Sequence, residues 1–592
     1  MVEKGRLAVK GFHGRVLKAD AGMRSFEIEE VSEPVLAACM GGKGLGTQLL
    51  VENSAAGADP LSPENPIVFG VGPVTDTRVP GSSRYGVFSK SPQTGLYSES
   101  YSGGKLAEKI SRTGFDAVVI TGAAEVPVYL EVTEEGAAFR DAGDLWGMET
   151  YAAEDVLRAR HGGKQTGAAV IGPAGENLVR FAIIANDYWR CAGRTGAGAV
   201  LGSKKIKGVL FRGDRSRELA DPQGVESFAR RILAEKNDHA ATHAYRKLGT
   251  PMMVKLVNEA NAFPTGYWQR GRMPDFAKVS AEAMQEACEV RSKSCPRCFM
   301  ACGKVTTATK GRHAGLKVEG PEYETIYAFG GLCCIDSIEE ILHLNDICDR
   351  LGMDTISGGN LVAFAMEASR LGAIEQKLRY GSVEDAESLL LDISKRRGSG
   401  EILSQGIAVA SREWGLEDLA IHVKGLEPAG YDPRILKGMG LAYATSDRGA
   451  CHLRTTFYKP ELSGQIEPDT VEGKAELFVD YEDRANLFDS LIICRFFRDF
   501  YLWDELGEIL RLTTGVDGGE QHLQALARNI ADGARRFNIR EGMTKEHDWL
   551  PDRFFDEPLP DSGAKLAREE LTRMRSEYYA LRGWDGEGRP RD

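Results

Sequence analysis

The chain has 592 residues, 42% apolar and 27% charged, the balance of a soluble globular protein of two to four domains. Its formal charge of −12 argues against nucleic acid and anionic membranes, which need a basic face. No stretch reaches the roughly 18 apolar residues that span a bilayer, and the start, MVEKGRLAVKGFHGRVLKAD, lacks an apolar secretion run, so the expected location is the cytoplasm.

In chain order, residues 1–212 read as short strands bounded by Gly, Pro or Asp: AVKGFHGRVLKAD, FEIEEV, PIVFGVG, RYGVFSKS, DAVVITGAA, VYLEVTEEGAAFRD, AAVIGPA and KGVLFRG. Helices intervene at GGKLAEKISRTG and ETYAAEDVLRARHG, without the regular βαβ alternation of a doubly wound sheet. Glycines concentrate in this part, where they let backbone approach a ligand. From residue 213 the apolar spacing turns helical with glycine stops, in VESFARRILAEK, SAEAMQEACEV, SIEEILHLNDICDRLG, SGGNLVAFAMEASRLG, VEDAESLLLDISKRRG, ELFVDYEDRANLFDSLIICRFF, WDELGEILRLTTG and GEQHLQALARNIADGARRFN. A second change near VKGLEPAGYDPR divides residues 213–425 from 426–592. The expected fold class is α+β: an N-terminal β-rich, cofactor-cradling domain, residues 1–212, followed by two mainly α-helical domains.

Cys295, Cys298 and Cys302 in SCPRCFMACGK have the C-x2-C-x3-C spacing that holds three corners of an iron–sulfur cube, and a fourth thiolate must come from elsewhere. The lone Cys494 in FDSLIICRFF is the candidate. A structural zinc site is the rival reading, but such sites usually pair two C-x2-C units and no second unit exists. Cys333 and Cys334 read as core, and Cys39, Cys191, Cys288, Cys348 and Cys451 as ordinary reduced thiols.

Two acidic turns share a five-residue rhythm: Asp349 to Asp354 in DRLGMD, and Asp489 to Cys494 in DSLIIC. The first helix should stop at Gly352 and the next begin with Ser357 as N-cap, leaving Asp349 against the helix dipole and Asp354 in the loop. A carboxylate accepts two parallel hydrogen bonds from an amino-pyrimidinone edge as it does from guanidinium, which points to a pterin; a solvated helix end is the alternative.

With these residues in view, the chain resembles the tungsten-containing aldehyde:ferredoxin oxidoreductase family along its full length. The family pattern is C-x2-C-x3-C with a distant Cys, and two pterin turns of the form D-x-x-G-L-(D/C). Asp349, Gly352 and Asp354 match the first turn, with Met353 for Leu. Asp489 and Cys494 match the ends of the second, with Ile493 between them, and the missing glycine predicts a different backbone turn there. GPVTDTRVPGSSRYGVFSKSPQTG and RCAGRTGAGAVLGSKKIKG resemble cofactor-cradling segments, making Arg78, Arg84, Arg190 and Arg194 candidate phosphate partners and Gly193, Gly196 and Gly198 close-approach positions.

The resemblance implies tungsten, or molybdenum, held by the dithiolenes of two pterins, Mg2+ bridging the pterin phosphates, and a [4Fe-4S] cluster as electron exit. It further implies ferredoxin or a small iron–sulfur subunit as acceptor, and it leaves a homodimer or larger hetero-oligomer open. EGPEYET resembles the segment of the catalytic glutamate, favouring Glu324 over Glu322, with Tyr323 shaping the pocket; RGACHLRTT points to His452. Some members carry an iron site between subunits on an E-x-x-H motif; Glu340 and His343 have that spacing and stay unassigned. The expected function is reversible oxidation of aldehydes to acids. The alternatives are the same cofactor acting on an aromatic acyl-CoA ring and a zinc-stabilised, non-redox binding protein.

Overall fold

The computed structural model describes residues 9–591; Ala8, which opens the first predicted strand, lies outside the described residues. Twelve strands form two six-stranded sheets. The first contains β1 (Arg15–Asp20), β2 (Ser25–Glu30), β3 (Ile67–Gly70), β4 (Tyr85–Lys90), β5 (Tyr97–Ser102) and β6 (Ala117–Thr121), in the order β2-β1-β6-β3-β4-β5. The second contains β7 (Val128–Thr133), β8 (Gly136–Asp141), β9 (Gly167–Val170), β10 (Ile184–Asn186), β11 (Arg190–Ala192) and β12 (Ile206–Phe211), in the order β11-β10-β9-β12-β7-β8. Among the described residues only β1/β6 and β7/β12 pair in parallel.

Alternation along each strand decides what each face covers. In β6, Val118 and Ile120 enter an apolar cluster shared with Val128, Leu130, Val209 and Phe211 of the second sheet. Ala117 and Val119 point the other way, onto Leu45 and Leu49 of helix Gly42–Asn53 and Phe537 of helix Glu520–Arg540. The two sheets thus pack face to face, with helices on their outer surfaces.

Beyond Phe211 the chain is mainly helical, as the apolar periodicity predicts. The largest apolar cluster draws on residues from Ala174 to Trp584 and runs across residue 425. A three-stranded sheet interrupts the helices: β13 (Cys288–Lys293), β14 (Gly303–Ala308) and β15 (Lys317–Glu319), in that order. The segment read as one helix through SAEAMQEACEV ends at Ala287, where the chain turns into β13. Among the described residues no helix is long and apolar enough to cross a membrane.

Candidate active site

The hairpin β13–β14 carries Cys295, Cys298 and Cys302 on its connecting loop, and Cys494 follows helix Lys474–Leu491. All four line one cavity with Arg84, Arg190 and Phe496. Backbone bonds fix the arrangement: Cys494 N donates to Gly81 O (3.0 Å), and Gly104 N to Cys295 Sγ (3.4 Å). Arg297 and Ala301 adopt φ of 58° and 46°, left-handed for non-glycine residues, so the loop is curled at a conformational cost. Burial, followed by neighbouring Cys494 and Cys295, pushes the Cys298 thiol up to about 12. As thiols these groups are neutral, and a metal centre would deprotonate them. Among the described residues no three His, Cys, Asp or Glu side chains converge as ligands of one metal ion. Four thiols around a common space, not around a point, fit a multi-iron cluster better than a tetrahedral zinc.

The two acidic turns have the same backbone, contrary to the expectation raised by the missing glycine. Helix Ile338–Leu351 ends on Gly352 at φ 80°, ψ 48°; helix Lys474–Leu491 ends on Ile492 at φ 63°, ψ 53°. A β-branched residue in this region is strained by roughly 1–2 kcal/mol. Ile492 stays there because its side chain is buried, with Cδ1 packed against Gly42. Each turn is also clasped by a different part of the N-terminal region. Ile183 N donates to Gly352 O (2.9 Å) and Asp354 N to Phe181 O (3.2 Å) beside the second sheet. On the first-sheet side, Gly42 lies so close to the second turn that a methyl group on it would stand 2.2 Å from Asp489 O.

Helix Thr355–Arg370 begins two residues before the expected Ser357 cap. The cap is Asp354, whose carboxylate accepts from Ile356 N (3.4 Å) and Ser357 N (3.0 Å). Asp349 accepts from Asn345 Nδ2 (2.7 Å), and burial, reinforced by Asp346, pushes its carboxyl well above the usual range.

Against the second turn lies a second cavity, which Ile356 reaches from just beyond the first turn while Asp349, Gly352 and Asp354 do not line it. It is lined by Tyr101 of β5, by Cys191, Gly193 and Arg194, by Arg448, His452 and Arg454, and by Asp489, Ile493 and Arg495. Arg84 lines both cavities and joins the thiol nest to this one. Five arginines therefore face a space lined by one carboxylate, Asp489. Arg454 and Arg495 share Asp489 Oδ2 at 2.8 and 2.6 Å, while Glu99, fully buried on β5, takes Arg454 and Lys43. Arg448 is 3% exposed and has no carboxylate partner; it donates to Glu99 O and to Cys451 Sγ (2.9 Å). The Nε atoms of Arg194, Arg448, Arg454 and Arg495 are buried without hydrogen-bond acceptors. Arg194 Nε lies 3.3 Å from Asp354 Oδ2 but is not aligned to bond it. Five buried or half-buried guanidinium groups against one lining carboxylate, four of them with an unpaired Nε, leave the cavity suited to an anionic ligand. A methyl group on Gly193 would enter this space 3.3 Å from Cys191 Sγ and 3.9 Å from Asp354 Oδ1.

On the far side of Arg194 stands the glutamate–histidine pair. Tyr323–Thr325 is a short helix continued by a π-helical stretch, Ile326–Leu332, a distortion frequent at functional sites. It presents Glu324, whose Oε2 accepts from Gly430 N (2.9 Å) and whose Oε1 is buried without a partner. His452 Nε2 lies 3.5 Å from that oxygen, too far for a good bond, and His452 Nδ1 is also unpartnered. Burial raises the Glu324 carboxyl to about 8, against the Gly430 bond and Arg194. Burial and then Arg194, Arg448, Arg454 and Arg498 hold the His452 imidazole well below its ordinary value. Tyr431, stacked on Tyr458 at 4.1 Å, and Tyr323 wall this pair with aromatic rings; Tyr323 itself donates to Gly430 O.

The remaining expected residues separate. Glu322 takes a hydrogen bond from Thr250, and burial raises its carboxyl against that bond, Arg190 and Lys304, on the side of the thiol nest. Arg190 lines the thiol cavity and pairs with Glu319. Arg78 is 68% exposed beside Glu226 and lines neither cavity. Gly196 and Gly198 are packing glycines: methyl groups there would strike Arg180 O at 2.1 Å and Ile183 O at 2.2 Å. Glu340 is bound by Arg312 and His313 while His343 turns to Glu387, so the E-x-x-H pair does not share a ligand position. Sequence reasoning missed Arg448, Arg454 and Arg495, and two thiols set aside as ordinary belong to the site. Cys191 lines the cavity. At Cys451, burial is outweighed by Arg448, Arg454 and Arg194, which hold the thiol below its ordinary value. The arginines flank Cys451 and Cys494 in the sequence, which was the only available signal.

Comparison with known proteins gives consistent matches. Residues 16–213 match the family described as aldehyde ferredoxin oxidoreductase, N-terminal domain, and residues 227–592 match its domains 2 and 3. The tungsten-containing aldehyde ferredoxin oxidoreductase of Pyrococcus furiosus is 35% identical over 98% of this chain and 97% of its own length. That of Thermococcus kodakarensis is 34% identical over 98% of each chain. Among solved structures, the active site complex BamBC of benzoyl coenzyme A reductase, with 1,5-dienoyl-CoA, has the same fold: its TM-score is 0.85 at 23% identity, covering 98% of this chain and 96% of that one. Two matched regions that take in nearly the whole chain, and relatives more than a third identical from end to end, establish that this protein is an oxidoreductase of the aldehyde ferredoxin oxidoreductase family.

Proposed function

We propose that this chain oxidises aldehydes to carboxylic acids, reversibly, on a tungsten bis-pterin with Mg2+ between the pterin phosphates. Electrons then leave through a [4Fe-4S] cluster on Cys295, Cys298, Cys302 and Cys494 to ferredoxin. The observation that carries this reading is the buried arginine cavity against the second of two like turns, set between the thiol nest and the Glu324–His452 pair. Two like turns suit two copies of one ligand. Arg194, Arg448, Arg454 and Arg495 would hold anionic groups of that ligand, Asp489 and Ile493 would border one ring, and Asp349 and Asp354, which stand outside the cavity lining, would approach the other by way of Gly193 and Arg194. The bound metal supplies the two-electron valence change that converts aldehyde and water to acid, two protons and two electrons.

The protein's own contribution is positioning and proton transfer. Glu324 Oε1 and His452 face a gap that neither fills, and an aldehyde oxygen or a water placed there would satisfy both. Neutral His452 donates to the substrate oxygen, while the ionised form of Glu324 takes the proton in the oxidative direction. Its protonated form, dominant below about pH 8, serves acid reduction. Tyr323, Tyr431 and Tyr458 exclude water from one side.

The test is metal analysis of anaerobically purified protein together with activity toward aliphatic aldehydes, aromatic aldehydes and aryl-CoA. Four irons and one tungsten per chain with aldehyde turnover are expected. Zinc without iron would replace this reading with a binding protein, and turnover of aryl-CoA alone would replace its substrate.

A further inference from the structure

We propose that the rim of the thiol nest formed by residues 103–112 and 289–298 is the docking surface for a small acidic electron carrier of ferredoxin type. The proposal rests on the cluster assignment above and names the face at which the cluster discharges. Both segments touch the nest: β13 leads directly into Cys295, and Gly104 N donates to Cys295 Sγ at 3.4 Å. The cover over the thiols is thin here, with Ser292 exposed at the end of β13 and Ser294 and Arg297 exposed on the loop that carries Cys295 and Cys298. Electron tunnelling falls steeply with distance, so a protein acceptor must seat where the cluster lies nearest the surface.

The charge of this rim runs against that of the molecule. Residues 289–298 carry Arg291, Lys293 and Arg297 against Glu289 alone, and residues 103–112 carry Lys105, Lys109 and Arg112 against Glu108 alone, in a chain of charge −12. Two neighbouring acids are paired from within, since Asp76 holds Arg112 and Arg297 and Glu319 is buried between Arg190 and Lys293, while half-buried Asp187, bonded to Lys105 N, leaves one negative charge against these cations. Arg291 remains 77% exposed, although it pairs with Glu289, and Lys105 is exposed. Exposed pairs of this kind contribute little stability. A basic surface instead steers an acidic partner, in a way that salt suppresses, past a net repulsion from the rest of the chain.

The experiment compares the holoenzyme with a charge-reversed variant, Lys105→Glu/Arg291→Glu/Lys293→Glu, and its neutralised counterpart with Gln at the same three positions. Each reduces either a purified acidic two-cluster ferredoxin or benzyl viologen with the same aldehyde. At low ionic strength the reversal should lower kcat/KM for ferredoxin by about tenfold or more and abolish its decline with salt, with the Gln variant between. The iron content and the viologen rate should stay within about twofold of wild type. Carbodiimide cross-links to ferredoxin should fall on Lys105 and Lys293. An iron-replete reversal variant with wild-type ferredoxin kinetics overturns the proposal, as do cross-links on another face or to a second copy of this chain. Wild-type protein without iron, or unable to reduce viologen, instead overturns the cluster reading, and the docking surface falls with it.

Discussion

Replacing Glu324 by glutamine isolates its proton-transfer role. The change preserves side-chain volume and an oxygen to accept from Gly430 N at 2.9 Å, so the π-helical segment keeps its anchor. What is lost is a group that titrates: a positioned base contributes about 10²–10⁴ in rate, or ~3–5 kcal/mol of activation free energy. The wild-type pH profile follows from burial, which sets the carboxyl at about 8. Aldehyde oxidation needs the ionised form, so its rate should rise about tenfold per pH unit below about pH 7 and level above about pH 9. Acid reduction needs the protonated form and should fall through the same range. His452 adds no second limb in this range, because burial and four arginines keep it neutral. Glu324→Gln should remove both slopes and leave a low, flat rate with tungsten and iron content unchanged. Rates of aldehyde-dependent viologen reduction, measured anaerobically alongside metal content, test this. A metal-replete glutamine variant within about threefold of wild type, or one that keeps the slope, would refute Glu324 as the base.

Three further substitutions probe the other parts. Cys494→Ala should cost at least one iron per chain and change the cluster's electron paramagnetic resonance signal; an unchanged signal would assign the fourth ligand elsewhere. Arg448→Met should lower retained tungsten on dialysis, since a charge-assisted bond to an anion contributes about 1.5–3 kcal/mol. In apo-protein the same change should raise the melting temperature, because Arg448 is then a buried charge without a carboxylate partner. Equal tungsten retention would remove Arg448 from the ligand site. Ile492→Gly relieves roughly 1–2 kcal/mol of backbone strain but gives up about 2–5 kcal/mol of buried side chain. The net expectation is a modest fall in thermal midpoint, and a rise would show that strain outweighs packing.

The fold was legible where one periodicity dominated a segment. Strands such as β6, with Val and Ile alternating between two apolar faces, declare themselves, as do long amphipathic helices such as Ile338–Leu351. Tertiary contact overrode local signals elsewhere. Strand β5 is YSESYS, polar in composition yet buried, because Glu99 and Ser102 are satisfied by Lys43, Arg454 and Asn186. Helix Gly42–Asn53, which no apolar periodicity announces, can press against the second acidic turn because Gly42 has no side chain to strike Asp489 O and Ser490 O. The hairpin β10–β11 turns on Asp187 and Tyr188 at positive φ, without the glycine that usually announces such a turn.

The site divides along a similar line. The grouping of the cysteines and the kinship of the paired turns were legible because spacing carries them, and Ile492 shows that the turn survives loss of the residue that best fits it. The arginines were not, since an arginine in sequence is most often a solvated charge. Arg78, chosen from a glycine-rich segment, proved to be one at 68% exposed, whereas Arg448, unremarked beside Cys451, is 3% exposed and without a counter-ion. A guanidinium becomes evidence for an anion only once folding removes both water and carboxylates from it. That condition depends on Glu99, Asp489 and the loop at residues 448–454 arriving from distant parts of the chain. The arginine cavity is therefore a property of the assembled fold, whereas the nest of four thiols gathers the cysteines whose spacing had already singled them out.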